Sequence, residues 1–384
     1  MRKRIIQRKI MSHYIVLTFM AMVVSALCGL LMIPQILDFC KRKNLYDIPN
    51  ARKVHKNAVP RLGGISFMPS MLVAFILAVA IMNKMTDTNQ VTVSTWTCCF
   101  FISLLLIYGV GIVDDLIGLN AQTKFVVQII AASLLPFSGL YINNLYGFLG
   151  IQEIPFWFGA PFTVFIIVFI DNAINLIDGI DGLAGGLSFL ALCGFLYCFL
   201  YEGIFTYSIL IAGLMGVLLS YLYFNIWGNP SKNRKIFMGD SGSLTLGFIL
   251  GFLFVKYAMY NPEVMPYHKD GLMISITMLI VPMFDVVRVV IMRLRKRRPL
   301  FDADKNHIHH KLMRTGLSQH QALVCILLLA VSYTLLNTLL TIICNLGMTY
   351  TLLIDVLLFF SFNYMVNKAI LQNDQLPFVV IENK

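Results

Sequence analysis

Eleven apolar stretches divide this chain of 384 residues, at about 14–38, 65–83, 95–113, 123–139, 161–177, 183–200, 205–224, 242–260, 271–292, 320–344 and 349–369. A helix needs roughly 20 mostly apolar residues to cross the hydrocarbon core. Only helices and closed barrels satisfy all their backbone groups there. The chain therefore reads as an all-α polytopic membrane protein with about eleven transmembrane helices. The sixth and eleventh stretches are short or mildly polar, which makes ten the smaller count. With 58% hydrophobic and 13% charged residues, no soluble domain of useful size is expected, and 1–384 reads as one integral membrane domain. The first run is too long for a cleaved signal peptide and lacks an A-x-A-like site.

Five strings are far too polar for their surroundings: IPNARKVHKNAVPRLGG at 48–64, DDLIGLN at 114–120, DNAINLIDGIDGLAGG at 171–186, KIFMGDSGSLTLG at 235–247 and DADKNHIHHKL at 302–312. Carboxylates beside a bilayer are expensive, and their presence there marks a functional site. With eleven helices, the loops after helices 1, 3, 5, 7 and 9 share one face. That face holds all five strings and most of the loop Lys and Arg, including Lys41–Lys43, Lys232–Lys235 and Arg293–Arg298. Opposite loops carry little more than Lys84 and Lys269. The basic face is therefore expected to be cytoplasmic, although the basic N-terminus MRKRIIQRK then falls outside. A net charge of +11 suits anionic substrates and headgroups.

Each string carries its own chemistry. Asp114 and Asp115 end the third helix with side chains about 100° apart. One is expected to face the site and the other to hold a partner such as Lys124 or Asn120. Asp171, Asn172, Asn175, Asp178 and Asp181 crowd the next string, and Asn172, Asn175 and Asp178 stack at helical spacing. Oxygen-rich groups beside Gly turns suit a hard divalent cation and a phosphate or sugar. Asp240 or Ser241 is placed to cap the eighth helix, whose N-terminus favours an anion. His307, His309 and His310 lack the spacing and Cys partners of a zinc site and fit better as donors to phosphate. Eight Cys residues show neither metal spacing nor a disulfide framework.

Together, DDLIGL, NAINLIDGIDGLAGG, FMGDSGSL, FDADKNHIHHKL and DIPNARKVHKNAVPRLGG resemble the ordered motifs of the polyprenyl-phosphate N-acetylhexosamine-1-phosphate transferases, glycosyltransferase family 4. The resemblance covers about 45–315. The HIHH string is similar to the branch that opens O-antigen, enterobacterial common antigen, teichoic acid or capsule synthesis. It differs from the phospho-N-acetylmuramoyl-pentapeptide transferase branch. The resemblance implies a bacterial inner-membrane enzyme that moves a HexNAc 1-phosphate, GlcNAc foremost, from a UDP-N-acetylhexosamine to undecaprenyl phosphate with release of UMP. It also implies membrane lipids and a second copy of the chain as partners, with no nucleic acid. It assigns Mg²⁺, replaceable by Mn²⁺, to Asp240 and Asn175. Asp114, Asp115, Asp178, Asp181, His307, His309 and His310 form the implied catalytic set. Lys53, His55, Arg61, Lys124, Asn172 and Arg298 fall at substrate-binding positions.

Two other classes make different demands. A transporter of lipid-linked sugars needs ionisable residues deep in several helices, whereas only Asp285 and Arg288 stand out. A CDP-alcohol phosphotransferase needs an AR dipeptide soon after its first DG, and DGIDGLAGG lacks one.

Overall fold

The computed structural model describes residues 2–46, 58–86, 94–261, 268–297, 299 and 306–374, with side chains from residue 13 onward. Eleven long helices follow the eleven apolar stretches. They are α1 (Arg2–Lys43), α2 (Phe67–Thr86), α3 (Thr95–Ile117), α4 (Ala121–Phe137), α5 (Phe156–Ile177), α6 (Leu183–Tyr201), α7 (Phe205–Trp227), α8 (Gly239–Ala258), α9 (Gly271–Arg295), α11 (Gln319–Thr338) and α12 (Met348–Asp374). A short α10 (Ile308–Arg314) lies between α9 and α11. Among the described residues, ten helices are long and apolar enough to span a bilayer. The remaining long helix, α4, has 17 residues, which at 1.5 Å per residue is about 25 Å and needs a locally thinned bilayer. Among the described residues, the one departure from an all-α reading is a small hairpin, β1 (Asn144–Phe148) paired antiparallel with β2 (Ile151–Glu153).

Local signals set the helix boundaries near the polar strings. Asn120 Oδ1 accepts the Thr123 N–H at 2.7 Å and starts α4. Gly118, at φ 74°, ends α3 by donating its N–H to the Asp114 carbonyl. Ser318 and Gln321 form a reciprocal capping box at α11.

The axis of the molecule is α8, whose 18 residues from Ser241 to Ala258 are all buried. It packs against α3, α5, α9 and α6, while α1 lies along α7 and α2. A helix apolar all round belongs inside a bundle, and small residues let its neighbours approach. A Cβ at Gly64 would collide with the backbone nitrogen of Gly242, so the 3-10 turn Gly63–Ser66 leading to α2 rests directly on the first turn of α8. Backbone bonds from Gly63 to Phe237 O (2.9 Å) and from Gly64 to Met238 O (2.8 Å) fix that contact.

Asp285 and Arg288 are not the sole ionisable groups deep in the helices. Lys256 of α8 and Asp355 of α12 are wholly buried. The Lys256 ammonium stands 3.7 Å from the centroid of the Trp96 ring, a cation–π contact worth about 2 kcal/mol when desolvated. Asn337 donates to Asp355 Oδ2 (3.0 Å) and Thr277 Oγ1 (2.9 Å), joining α11, α12 and α9. Sequence periodicity treats such residues as blemishes in an apolar run. The structure shows them joining one helix to another.

Candidate active site

The ends of four helices meet at one point. Carboxylate oxygens of Asp114 and Asp115, from the last turn of α3, and of Asp240, from the first turn of α8, lie within 4.8 Å of one another. Lys124, at the start of α4, places its ammonium 2.5 Å from Asp240 Oδ2 and 3.4 Å from Asp114 Oδ2. Asn175, near the end of α5, donates to Asp240 Oδ1 (3.2 Å) and Ser243 Oγ (2.8 Å). Four elements separated widely in sequence thus contribute to one cluster.

The paired aspartates of α3 divide their tasks. Asp115 is buried, and its two oxygens accept the backbone N–H groups of Asp240 and Ser241, each at 2.9 Å. These are two of the four N–H groups a helix start leaves unsatisfied. Asp115 therefore caps α8 from another helix. The expectation that Asp240 or Ser241 caps α8 is corrected: Met238 occupies the N-cap position without a side-chain bond, and Asp240 lies inside the first turn. Freed from capping, Asp240 turns its carboxylate into the cluster. Gly239, at φ 68°, makes the sharp entry, and a Cβ there would strike the Arg61 carbonyl and the Asp115 carboxylate. Asp114 instead accepts the Leu119 N–H at 2.7 Å and faces Lys124. Arg61 donates Nε and Nη2 to the Asp115 carbonyl at 3.1 and 2.9 Å, so these two donors hold the end of α3.

The second ring of polar groups is more dispersed. Asn172 donates to Gln128 Oε1 (2.9 Å) and to the Val168 carbonyl (2.8 Å). Gln128 in turn donates to the buried Asp171 at 2.9 Å. The amide of Asn172 is thus committed to α4 and its own helix, while Asn175 reaches the cluster. Asp178 closes the end of α5, and Asp181 pairs with Lys235 at 2.7 Å. Burial, then the negative charges of Asp240, Asp181 and Asp115, pushes the Asp178 carboxyl up to about 7. Asn225 accepts the Gly182 N–H (2.7 Å) and donates to the Ile236 carbonyl (2.9 Å), tying this loop to the approach to α8.

The three histidines separate in the same way. His307 Nδ1 lies 2.8 Å from Asp285 Oδ2, and Asp285 Oδ1 accepts the Ile308 N–H (3.0 Å) and Arg288 Nη2 (2.7 Å). That carboxylate anchors α10 to α9. His309 is buried, and neither ring nitrogen has a hydrogen-bond partner among the described residues. Its Nε2 lies against Gly179, where any Cβ would collide with it. His310 is partly exposed and its ring centroid lies 4.2 Å from that of His309. Lys53, His55 and Arg298, as well as Asp302 and Asp304, lie outside the described residues.

Whether these donors fit a hard cation is tested by what stands among them now. The ammonium of Lys124 bridges two of the carboxylates, as a cation would, and among the described residues three carboxyl groups crowd this point while the Arg61 guanidinium is held on the Asp115 carbonyl. Asp114 and Asp240 offer carboxylate oxygens of the kind Mg²⁺ prefers, and Asn175, whose amide NH₂ faces Asp240 here, would offer its carbonyl oxygen after an amide flip. Asp115, with both oxygens bound to N–H groups, is better suited to hold the first turn of α8. The donor set fits.

The sequence profile of glycosyl transferase family 4 matches residues 96–258, which run from the start of α3 to the end of α8. The chain is 33% identical over 323 residues to a probable undecaprenyl-phosphate N-acetylglucosaminyl 1-phosphate transferase of Bacillus subtilis, covering 82% of each chain. The chain belongs to glycosyl transferase family 4. Undecaprenyl-phosphate alpha-N-acetylglucosaminyl 1-phosphate transferases of Yersinia pestis and Escherichia coli K12 are also similar. The first is 30% identical over 74% of each chain, the second 27% over 86% of this chain and 85% of the relative. The cluster described above falls within the matched segment, whereas the histidines of α10 lie beyond it. Sequence reading missed Gln128 and Ser243. Both are ordinary helix residues until their cross-helix partners are known.

Proposed function

We propose that this phosphosugar transferase moves an N-acetylhexosamine 1-phosphate, GlcNAc 1-phosphate foremost, from a UDP-sugar to undecaprenyl phosphate, giving the lipid diphosphate sugar and UMP. The observation that carries the reading is the convergence of Asp114, Asp115, Lys124, Asn175 and Asp240 where four helix ends meet. A site at helix ends lets a lipid phosphate arrive from the bilayer while a nucleotide arrives from water. The excess of Lys and Arg on that side supports a cytoplasmic site, where nucleotide sugars are made.

Phosphoryl transfer depends chiefly on positioning and charge stabilisation. The second pKa of a phosphate monoester is about 6, so the lipid phosphate is largely dianionic at neutral pH. Its oxygen attacks the sugar-bearing phosphorus as the bond to UMP breaks, and no strong general base is needed. Mg²⁺, held by Asp240, Asn175 and Asp114, would supply charge neutralisation to the diphosphate. Lys124 presents a movable cation to phosphate oxygens, while Asp115 and Arg61 keep the ends of α8 and α3 in register. Asp178 and Asp181 shape the loop facing the nucleotide sugar, with His309 packed behind it at Gly179.

Purified protein or membranes incubated with radiolabelled UDP-GlcNAc, undecaprenyl phosphate and Mg²⁺ should yield lipid-extractable label and stoichiometric UMP. Omission of Mg²⁺ should abolish both. Faster transfer from UDP-MurNAc-pentapeptide would move the enzyme to the peptidoglycan branch.

A further inference from the structure

A second basic cavity lies on the other side of α10 from Gly179, between the inner ends of α9 and α12. Its volume is about 710 Å³. Among the described residues, five cations line it, Arg288, Arg295, Lys296, Lys311 and Arg314, and no carboxylate does. Arg288 and Lys311 form its deep end. Arg288 spends Nη2 on Asp285 and on the Asn306 carbonyl, but its buried Nε has no hydrogen-bond partner among the described residues. Lys311 is 8% exposed, and Asn363 Oδ1, at 3.1 Å, accepts from its ammonium. An ammonium has three donors to satisfy. Burial and the charges of Arg288 and Arg314, partly opposed by Asp285, bring Lys311 down to about 8.

The rest of the wall is apolar and opens sideways. Phe360, Tyr364 and Leu371 of α12 are 59%, 70% and 63% exposed, on a helix of spanning length. Arg288 sits seven residues before Arg295, about 10 Å further along the α9 axis toward the bilayer interior. A soluble anion would not need that depth or that apolar flank. An amphiphile would use both.

We propose that this cleft binds the headgroup of an anionic phospholipid, with a two-phosphate headgroup of the cardiolipin type as its best occupant. One phosphate reaches Arg288 Nε and Lys311. The other lies nearer the surface, among Arg295, Lys296 and Arg314. The acyl chains run along the exposed face of α12. Basic pockets between transmembrane helices on the cytoplasmic side recognise such headgroups, and paired cations bind phosphate through charge-assisted hydrogen bonds. The site uses α9, α10 and α12, so it does not rest on the proposed sugar substrate.

The test uses full-length protein, delipidated in detergent and titrated with cardiolipin, phosphatidylglycerol, phosphatidylethanolamine or inorganic phosphate. Native mass spectrometry and thermal unfolding provide the readouts. One retained cardiolipin per chain and a rise in melting temperature are expected, with a smaller rise for phosphatidylglycerol and none for the other two. Lys311→Met and the exposed double variant Arg295→Gln/Lys296→Gln should each weaken cardiolipin retention at least tenfold. The double variant should keep its turnover in lipid-free detergent. Equal retention of phosphatidylethanolamine, an equal response to inorganic phosphate, or undiminished retention in the double variant would overturn the proposal.

Discussion

Two carboxylate centres stand at the same end of this molecule, and their charge balance is opposite. Around Asp285 a single carboxylate is met by Arg288, His307 and the Ile308 N–H. Among the described residues, three carboxyl groups around Asp240 share the ammonium of Lys124, with the Arg61 guanidinium bound to the Asp115 carbonyl beside them. The first is complete and holds α10 in place. The second holds an excess of negative charge that folding alone does not neutralise. A centre with unbalanced charge is where a cation and a phosphate add most, so the difference separates positioning from chemistry.

The sharpest way to break that comparison is Asp240→Asn. Removing its charge relieves repulsion with Asp114 and Asp115 but takes a partner from Lys124, so the melting temperature should change little. Turnover should fall by about 100-fold or more, the scale expected for losing a preorganised charged group. Near-normal turnover at limiting Mg²⁺ would remove Asp240 from the metal site. Asp285→Ala should show the converse pattern. It leaves Arg288 partly buried without its carboxylate and releases His307, at a cost of about 3–5 kcal/mol. The melting temperature should drop clearly, and nucleotide-sugar KM should rise as α10 loosens. A stable variant with only kcat reduced would make Asp285 a participant in the chemistry.

A finer division runs through the adjacent aspartates. Asp115→Asn replaces one acceptor oxygen with an NH₂ group facing an α8 N–H, a loss of about 1–3 kcal/mol. Asp114→Asn leaves the α8 cap intact and disturbs Lys124 instead. The first variant should lose melting temperature, and the second should lose lipid-phosphate use at near-normal stability. Identical losses in stability and in both substrates' KM would refute the division.

These contrasts show what the sequence could and could not reveal. All eleven long helices were visible because a spanning stretch is a local property, read from length and apolarity alone. The convergence of the polar strings at one end followed from counting helices. Which aspartate does what was hidden, because the partner of Asp115 lies 125 residues away in α8. Ser241 looked like a cap by local rules, and a cross-helix carboxylate displaced it. Lys256, Asp355 and Asn337 were passed over for the same reason, since an apolar average conceals single polar residues whose partners are on other helices. The short α10 escaped because seven residues beside a basic run carry no period to detect.

His309 provides an effect that is absent at neutral pH and grows only in acid, and it tests how tightly α10 is seated. Burial, and then the neighbouring His310 and His307, brings its imidazole from the ordinary 6.5 down to about 3. In the unfolded chain this group takes up a proton below about 6.5, whereas the folded chain refuses it until about pH 3. The unfolded state therefore binds more protons across that window, and stability falls as pH drops from 6.5 toward 3. The slope from this one group approaches about 1.4 kcal/mol per pH unit in the middle of the window. His309→Gln keeps a polar side chain that does not titrate, so its melting temperature should fall less steeply with acid than that of the parent. Above pH 7 the two slopes should agree. If they agree at pH 5 as well, the imidazole already takes its proton in the folded state, and α10 is not packed against Gly179 as closely as the structure shows.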